Sequence, residues 1–322
     1  MKHRILIQSL IISILIFSCK QKNDNASDVP IEQIEEYSSN DKSTAEDSEV
    51  KKNDFPELGP DFSPEGSRIA YYSYIDSEWS TSRIYLINTD GTNKKELTTN
   101  DTIGFHTEPV WSPDGGRIGY TSFLEEGARM MSIDSDGTNL KQLTTVTENG
   151  FHMFSAWDLT GEGYYFFHWP FGEDFKPDAY YTNGDNITRL TTDGITNRPQ
   201  LAADGTLFIS KIVDLENNVY SKHILDKKTK KVTDVPELEG WFISRDQVLK
   251  QKDHDQGTTF ILEDLNGTDL KEVGTVSHKS LMFAKIDPNR QFVAYNTSFD
   301  DGAEIYLLDI NSGKNIKLTK ND

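Results

Sequence analysis

From residue 55 onward the chain alternates short apolar runs with polar turn clusters, and no segment shows a sustained helical period with caps. The apolar runs are rich in β-branched and aromatic residues: Arg68-Ile-Ala-Tyr-Tyr, Arg117-Ile-Gly-Tyr, Tyr164-Tyr-Phe-Phe, Thr206-Leu-Phe-Ile-Ser and Phe292-Val-Ala-Tyr. Each predicts a strand. Each follows a turn cluster, most clearly Phe62-Ser-Pro-Glu-Gly66 and Trp111-Ser-Pro-Asp-Gly115. Looser copies are Trp157-Asp-Leu-Thr-Gly161 and Leu201-Ala-Ala-Asp-Gly205, and degenerate ones are Ile243-Ser-Arg-Asp-Gln247 and Ile286-Asp-Pro-Asn-Arg290. Ser at the first position, Pro at the second and Gly at the fourth are the preferences of a type I turn.

The copies start 49, 46, 44, 42 and 43 residues apart. Within a copy, a second strand follows (Arg83-Ile-Tyr-Leu-Ile, Arg129-Met-Met-Ser-Ile, Ala179-Tyr-Tyr, Thr259-Phe-Ile-Leu, Glu304-Ile-Tyr-Leu-Leu). A polar turn such as Asp90-Gly-Thr-Asn or Asp136-Gly-Thr-Asn then leads to a short strand ending in Leu-Thr. Counting the segment that enters each turn, every unit supplies four strands. A period in the forties with this content predicts propeller blades. One four-stranded sheet cannot hide both faces, whereas six packed radially can, and a closed ring protects the edges. The expected fold is therefore all-β: a six-bladed β-propeller of four-stranded antiparallel blades over residues 55–322, with blades starting near 57, 106, 152, 196, 238 and 281. Residues 55–62 supply either the first blade's inner strand or a strand lent to the last blade.

The residues before 55 follow a different pattern. Lys2, His3 and Arg4 form a positive start, and Ile5 to Phe17 is a mostly apolar stretch too short for a stable membrane span. Cys19, the only cysteine, follows Ile16-Phe17-Ser18. Residues 1–18 thus resemble a bacterial lipoprotein signal, cut before a Cys19 that is then lipidated and held in the bilayer by its acyl chains. Lys20 rather than Asp follows; by analogy with enterobacterial sorting, this points to the outer membrane. Residues 19–54 read as the lipidated Cys and a disordered acidic tether, since residues 20–60 carry 11 acids and 5 bases and few large apolar side chains. One cysteine excludes an intrachain disulfide and a multi-thiolate zinc site. The net charge of −19 argues against a nucleic-acid partner.

The Trp-Ser-Pro-Asp-Gly turn, the following strands and the closing Leu-Thr resemble the TolB-like β-propeller repeat family. The resemblance covers residues from about 57 to the end and is strongest in the first two units. It implies a six-bladed propeller, which in the family's namesake is a periplasmic module that binds envelope proteins. Residues 20–54 are too short and polar for the namesake's separate N-terminal α/β domain. The same repeat occurs in propellers of prolyl-oligopeptidase-type peptidases, but no G-x-S-x-G elbow is present, and a serine peptidase is not expected.

Candidate chemistry gathers at the channel rim. Gly104-Phe-His106 and Gly150-Phe-His152 stand at matching places in successive blades. Glu108, Phe154 and Arg198 lie three residues before their own turn copies, and His168 and Trp169 end the second strand of the third blade. Together His106, Glu108, His152, Phe154, His168, Trp169 and Arg198 are the expected ligand-binding set; no catalytic set is recognised. Imidazoles with a carboxylate can hold a divalent transition metal, with His106 and His152 as its first ligands, or serve as a base. The alternative is that these histidines bond neighbouring loops. Oligogalacturonate lyases, a related propeller family with a metal held by clustered His and Gln, lack matching spacing here. The aromatic run Tyr164 to Phe171, with Asp174 and Asp178 downstream, is expected to pass from a strand into a longer loop. The Asp-Gly-Thr-Asn segments are expected to be hairpin turns, because the remaining EF-hand ligands are missing. The leading expectation is an envelope-anchored binding module for a protein, peptide or glycan, without a cofactor. The alternative is a metal-dependent carbohydrate-active enzyme using the rim histidines.

Overall fold

A computed structural model describes residues 55–319, apart from 77–79, 100, 102–103, 126, 144–149, 218 and 236–239. The expected signal, Cys19 and the expected tether lie outside the described residues. Every regular element among the described residues is a β-strand. The strands fall into consecutive four-strand meanders. The first is β1 (Glu57–Phe62), β2 (Arg68–Tyr74), β3 (Ser82–Asn88) and β4 (Lys95–Glu96); the next is β5 (Phe105–Trp111), β6 (Arg117–Leu124), β7 (Gly127–Asp134) and β8 (Lys141–Gln142). Then come β9 (Gly150–Trp157), β10 (Tyr164–Pro170), β11 (Asp178–Thr182) and β12 (Ile187–Arg189), followed by β13 (Thr196–Leu201), β14 (Leu207–Asp214), β15 (Val219–Leu225) and β16 (Val232–Asp234). The last eight are β17 (Trp241–Ser244), β18 (Gln247–His254), β19 (Gly257–Asp264), β20 (Asp269–Val276), β21 (Ala284–Ile286), β22 (Phe292–Asn296), β23 (Ile305–Asp309) and β24 (Asn315–Lys317).

Pairing within each meander is antiparallel between neighbours, and the first three meanders are joined by isolated parallel pairs, Ser82 with Phe105 and Ala128 with Phe151. Residues 55–62 contain the first meander's own inner strand, because β1 pairs with β2. The last meander is built wholly from the C-terminal segment. The ends of the fold therefore meet without strand exchange. Instead Glu57 N–H donates to Ala303 O (2.8 Å), Gly59 N–H donates to Asn296 Oδ1 (2.9 Å), and Phe62, Ile69 and Tyr71 pack on Ala294, Ile305 and Leu307.

The repeated residues have repeated jobs. In the turn copies, the residue at the fourth position donates its N–H to the carbonyl of the first: Gly66 to Ser63, Gly115 to Ser112, Gly161 to Asp158, Gly205 to Ala202 and Arg290 to Asp287. That fourth position has positive φ (75° at Gly66, 55° at Arg290), which explains the glycine and makes Arg290 the strained copy. The turn at Ser244 is a tighter hairpin, with Ser244 opposite Gln247. The closing Leu-Thr is a clamp on the neighbouring strand. Leu97 N–H donates to Ile84 O (2.8 Å) while Thr98 Oγ1 accepts from Ile84 N (3.1 Å), and Leu318–Thr319 repeat this on Ile305. The threonine side chain thereby satisfies a buried backbone donor after the ladder has ended. In the Asp-Gly-Thr-Asn turns, Asp90 Oδ1 accepts from Thr92 N (2.9 Å) and Asp136 Oδ1 from Thr138 N (2.8 Å). These carboxylates serve their own hairpins.

Apolar faces close between meanders. Arg68 lies 4.6 Å over the Trp111 ring and Arg117 4.7 Å over Trp157, so each turn tryptophan is covered by the strand-start arginine of the preceding unit. Phe208 stacks on Phe242 at 3.9 Å to join the fourth and fifth meanders.

Candidate functional site

The first strands of successive meanders touch: β1 with β5, β5 with β9, β9 with β13, β17 with β21, and β21 back to β1. These contacts link the first strands of the six meanders in one row, from β17 through β21 and β1 to β13. Three of these strands carry a bulge at the same height, between Leu58 and Asp61, Thr107 and Val110, and Asn197 and Gln200. In the first, second and fourth meanders the bulged residue has positive φ and precedes proline: Gly59-Pro60 (64°), Glu108-Pro109 (50°) and Arg198-Pro199 (44°). Glycine accepts this conformation freely, whereas Glu and Arg each hold it at a cost of about 1–3 kcal/mol. Gly59 has a second reason to lack a side chain, since a Cβ there would stand 3.0 Å from the Tyr72 ring.

The strained backbone brings Glu108 and Arg198 together across the intervening β9. Their Oε1 and Nη2 atoms are 3.6 Å apart, and both side chains stay partly exposed. The fully buried Tyr72 hydroxyl is pushed well up in pKa, first by burial, then by the neighbouring Tyr74 and the Glu108 charge, with Arg198 opposing. Beside Arg198, the side-chain amide of Asn197 is 1% exposed and neither its oxygen nor its nitrogen meets a protein partner; Thr107 Oγ1, beside Glu108, is likewise buried without one. Buried polar atoms of this kind need an explanation such as a bound ligand or water.

The histidines form two separate clusters. His106 is fully buried on β5; its Nε2 lies 2.9 Å from Asp101 O and 3.7 Å from Asp101 Oδ2, and its ring meets Tyr120 edge-on. Asp101 also accepts from Tyr120 Oη (2.8 Å) and Arg129 Nη2 (3.1 Å). Burial holds the His106 imidazole below its ordinary pKa, with Asp101 pulling the other way. His152, opposite His168 across β9 and β10, stacks on it with ring centres 4.2 Å apart and planes within 7°. His168 Nδ1 lies 3.3 Å from Phe151 O, and burial again depresses its pKa. Among the described residues no group of three His, Cys, Asp or Glu side chains stands close enough to hold a metal ion.

Two aromatic members of the expected rim are core instead. Phe154, the third meander's counterpart of Glu108 and Arg198, is 1% exposed and fills the space left by Gly119, whose absent Cβ would sit 2.4 Å from its ring. Trp169 is 4% exposed, stacked on Phe151 at 4.5 Å and met edge-on by Phe175. Apolar rings at these heights gain more from packing between sheets than from facing water. Asp178, expected in a loop, is a buried strand residue that accepts from Thr191 Oγ1 (2.9 Å) and is ion-paired with Arg189. Sequence reasoning missed Asp101, Tyr120, Arg129 and Asn197. The residue-proline pair recurring at 59–60, 108–109 and 198–199 was a signal that could have located the bulges.

No protein-family model matches the chain, and no curated protein matches it. Among solved structures, it is similar to TolB from Acinetobacter baumannii (TM-score 0.55, 16% identity), covering 80% of this chain and 65% of that one. It is similar also to the tricorn protease (TM-score 0.56, 15% identity; 84% of this chain and 26% of that one). A third likeness is to the hydrazine synthase of Kuenenia stuttgartiensis (TM-score 0.54, 12% identity; 79% and 45%). The chain thus spans less than two thirds of the length of each of these proteins. At such identities the likeness shows the fold alone: an all-β propeller of the TolB-like kind.

Proposed function

We propose that this chain is a lipid-anchored, six-bladed propeller of the bacterial cell envelope, a binding module that holds a protein, peptide or glycan at its channel mouth without catalysing a reaction. Six turn copies and strands grouped in fours support the blade count. The lipobox-like Ile16-Phe17-Ser18-Cys19 supports the anchor, and the outer membrane is the proposed site. The observation that carries the binding role is the Glu108–Arg198 pair, held on the row of first strands by two strained bulges beside the partnerless amide of Asn197. An opposed carboxylate and guanidinium offer both an acceptor and a donor fork to a polar ligand.

The test is crosslinking in cells from a photoreactive residue at position 195, an exposed rim position beside β13. A discrete adduct that disappears in the Glu108→Ala/Arg198→Ala double variant is expected. An adduct pattern identical in both proteins would overturn the channel-mouth assignment. For the anchor, Cys19→Ala should release the protein from the membrane fraction.

A further inference from the structure

The molecule is acidic as a whole, yet one hairpin is strongly basic. The connection from β15 to β16 reads Asp226-Lys-Lys-Thr-Lys-Lys231, and all six residues are exposed. The turn is well built. Asp226 Oδ1 accepts from Lys228 N (2.9 Å) and Thr229 N (2.7 Å), Lys230 N–H returns to Asp226 O (2.8 Å), and Lys230 has positive φ (57°). The one carboxylate in the loop is therefore committed to the backbone. None of Lys227, Lys228, Lys230 and Lys231 takes part in an ion pair among the described residues. The Lys227 ammonium lies 4.2 Å over the Tyr181 ring, and Lys228, Lys230 and Lys231 are exposed.

The edge that bears this hairpin also has exposed carboxylates, among them Glu65, Asp90, Asp114 and Asp136, but with Lys94, Lys95, Lys141 and Lys314 beside them; the opposite edge has few cations. In an antiparallel meander, the start of the first strand, the second-to-third connection and the exit of the fourth strand share one edge. Glu125, Glu173, Asp174, Glu216, Asp255 and Asp300 are exposed there, against the two lysines Lys176 and Lys279 in the described connections. The chain enters β1 on this acidic edge, while the lysine hairpin belongs to the other.

We propose that the 226–231 hairpin docks on an anionic phospholipid surface and orients the propeller with its acidic edge directed away from the bilayer. The inference rests on the lipid-anchored reading for the presence of a nearby membrane. Charge sets the orientation: a bilayer bearing negative headgroups attracts each lysine by about fivefold in affinity and repels the carboxylate edge, both within a Debye length. The segment 20–54 has the reach for this. Its 35 residues can bridge at most about 115–125 Å, against about 25 Å for a strand of seven or eight residues that sets the propeller's thickness.

The test is an amine-labelling footprint of the full chain on vesicles, read by mass spectrometry. Phosphatidylcholine vesicles are compared with vesicles containing 30% phosphatidylglycerol, an amount chosen as roughly that of an anionic leaflet. Lys227, Lys228, Lys230 and Lys231 should label at least about threefold more slowly on the anionic vesicles, Lys279 should not change, and raised salt should abolish the protection. Equal labelling on the two vesicles, or protection of Lys279 instead, overturns the proposal. Protection that appears without lipid on adding acidic envelope proteins also overturns it, in favour of a protein partner. The mass of the Cys19 peptide reports acylation separately. An acylated chain with unprotected lysines refutes only the docking, whereas a non-acylated chain with phosphatidylglycerol-dependent protection supports docking and refutes the anchor.

Discussion

His106 and His152 occupy the same position of the same tripeptide one repeat apart, but their surroundings differ. His106 sits against a buried aspartate that also holds a tyrosine and an arginine. His152 stacks face to face on a second imidazole, and the nearby aspartate, Asp178, is turned toward Arg189 and Thr191. The first cluster ties the connecting residue Asp101 to three strands, β5, β6 and β7; the second is built on strand neighbours of β9, β10 and β11, since His168 pairs with both His152 and Asp178. A repeated motif therefore fixes where an imidazole stands on a blade. The residues that loops and neighbouring strands supply decide its protonation and its partners.

The largest effect should come from Asp101→Ala. It leaves Arg129 and the Tyr120 hydroxyl without their shared acceptor in a buried setting, and a loss of about 3–5 kcal/mol is expected in chemical denaturation. Asp178→Ala should cost less, about 1–3 kcal/mol, because Arg189 is half exposed and water replaces the carboxylate. If the two aspartate variants were equally destabilised, the contrast between the clusters would fail.

The pH dependence sharpens the same contrast. His106 and His168 have folded-state pKa values below the usual 6.5, with burial as the leading cause in both. Their contribution is fully present above about pH 6.5 and is lost as pH falls from there toward the folded values, because the unfolded chain binds protons that the native state refuses. Stability should drop between pH 7.5 and pH 5, at most about 1.4 kcal/mol per pH unit for each histidine. His168→Asn should flatten part of that slope; a slope unchanged in both the His106→Asn and His168→Asn variants would refute the assignment.

The Leu-Thr clamps give a smaller difference. Thr98→Val should cost about 1 kcal/mol by orphaning the Ile84 N–H, and Thr191→Val more, because Thr191 also donates to Asp178. Thermal midpoints of the two variants measure this. The smallest effect on stability belongs to Glu108→Gln, about 0–1 kcal/mol, since the pair with Arg198 is long and partly exposed. A large loss there would make the pair a structural clasp and weaken the binding role.

Much of the fold was legible because its signals are local. Ser-Pro-Asp-Gly turns, alternating apolar runs and Leu-Thr endings each act within one meander, and the strands formed where those runs predicted them. The meeting of Glu108 with Arg198 was readable in outline, since both stand at one height of the repeat. The fates of Phe154 and Trp169 were not. An aromatic residue near a strand end reads the same whether it faces an opening or a neighbouring sheet, and the gap at Gly119 that receives Phe154 lies in another meander.

Local pattern alone determined the strand class, the turn chemistry and the repeat length, because hydrogen-bonded turns and side-chain alternation are set by near neighbours in the chain. Tertiary structure alone decided which polar groups share a space. Asp101 reaches His106, Glu108 reaches Arg198, and β1 reaches β21–β23 only when separate sheets pack. The burial that results depresses the imidazole pKa values and leaves the Asn197 amide without a protein partner. Those effects depend on distances through space and on exclusion of water, which sequence spacing does not specify.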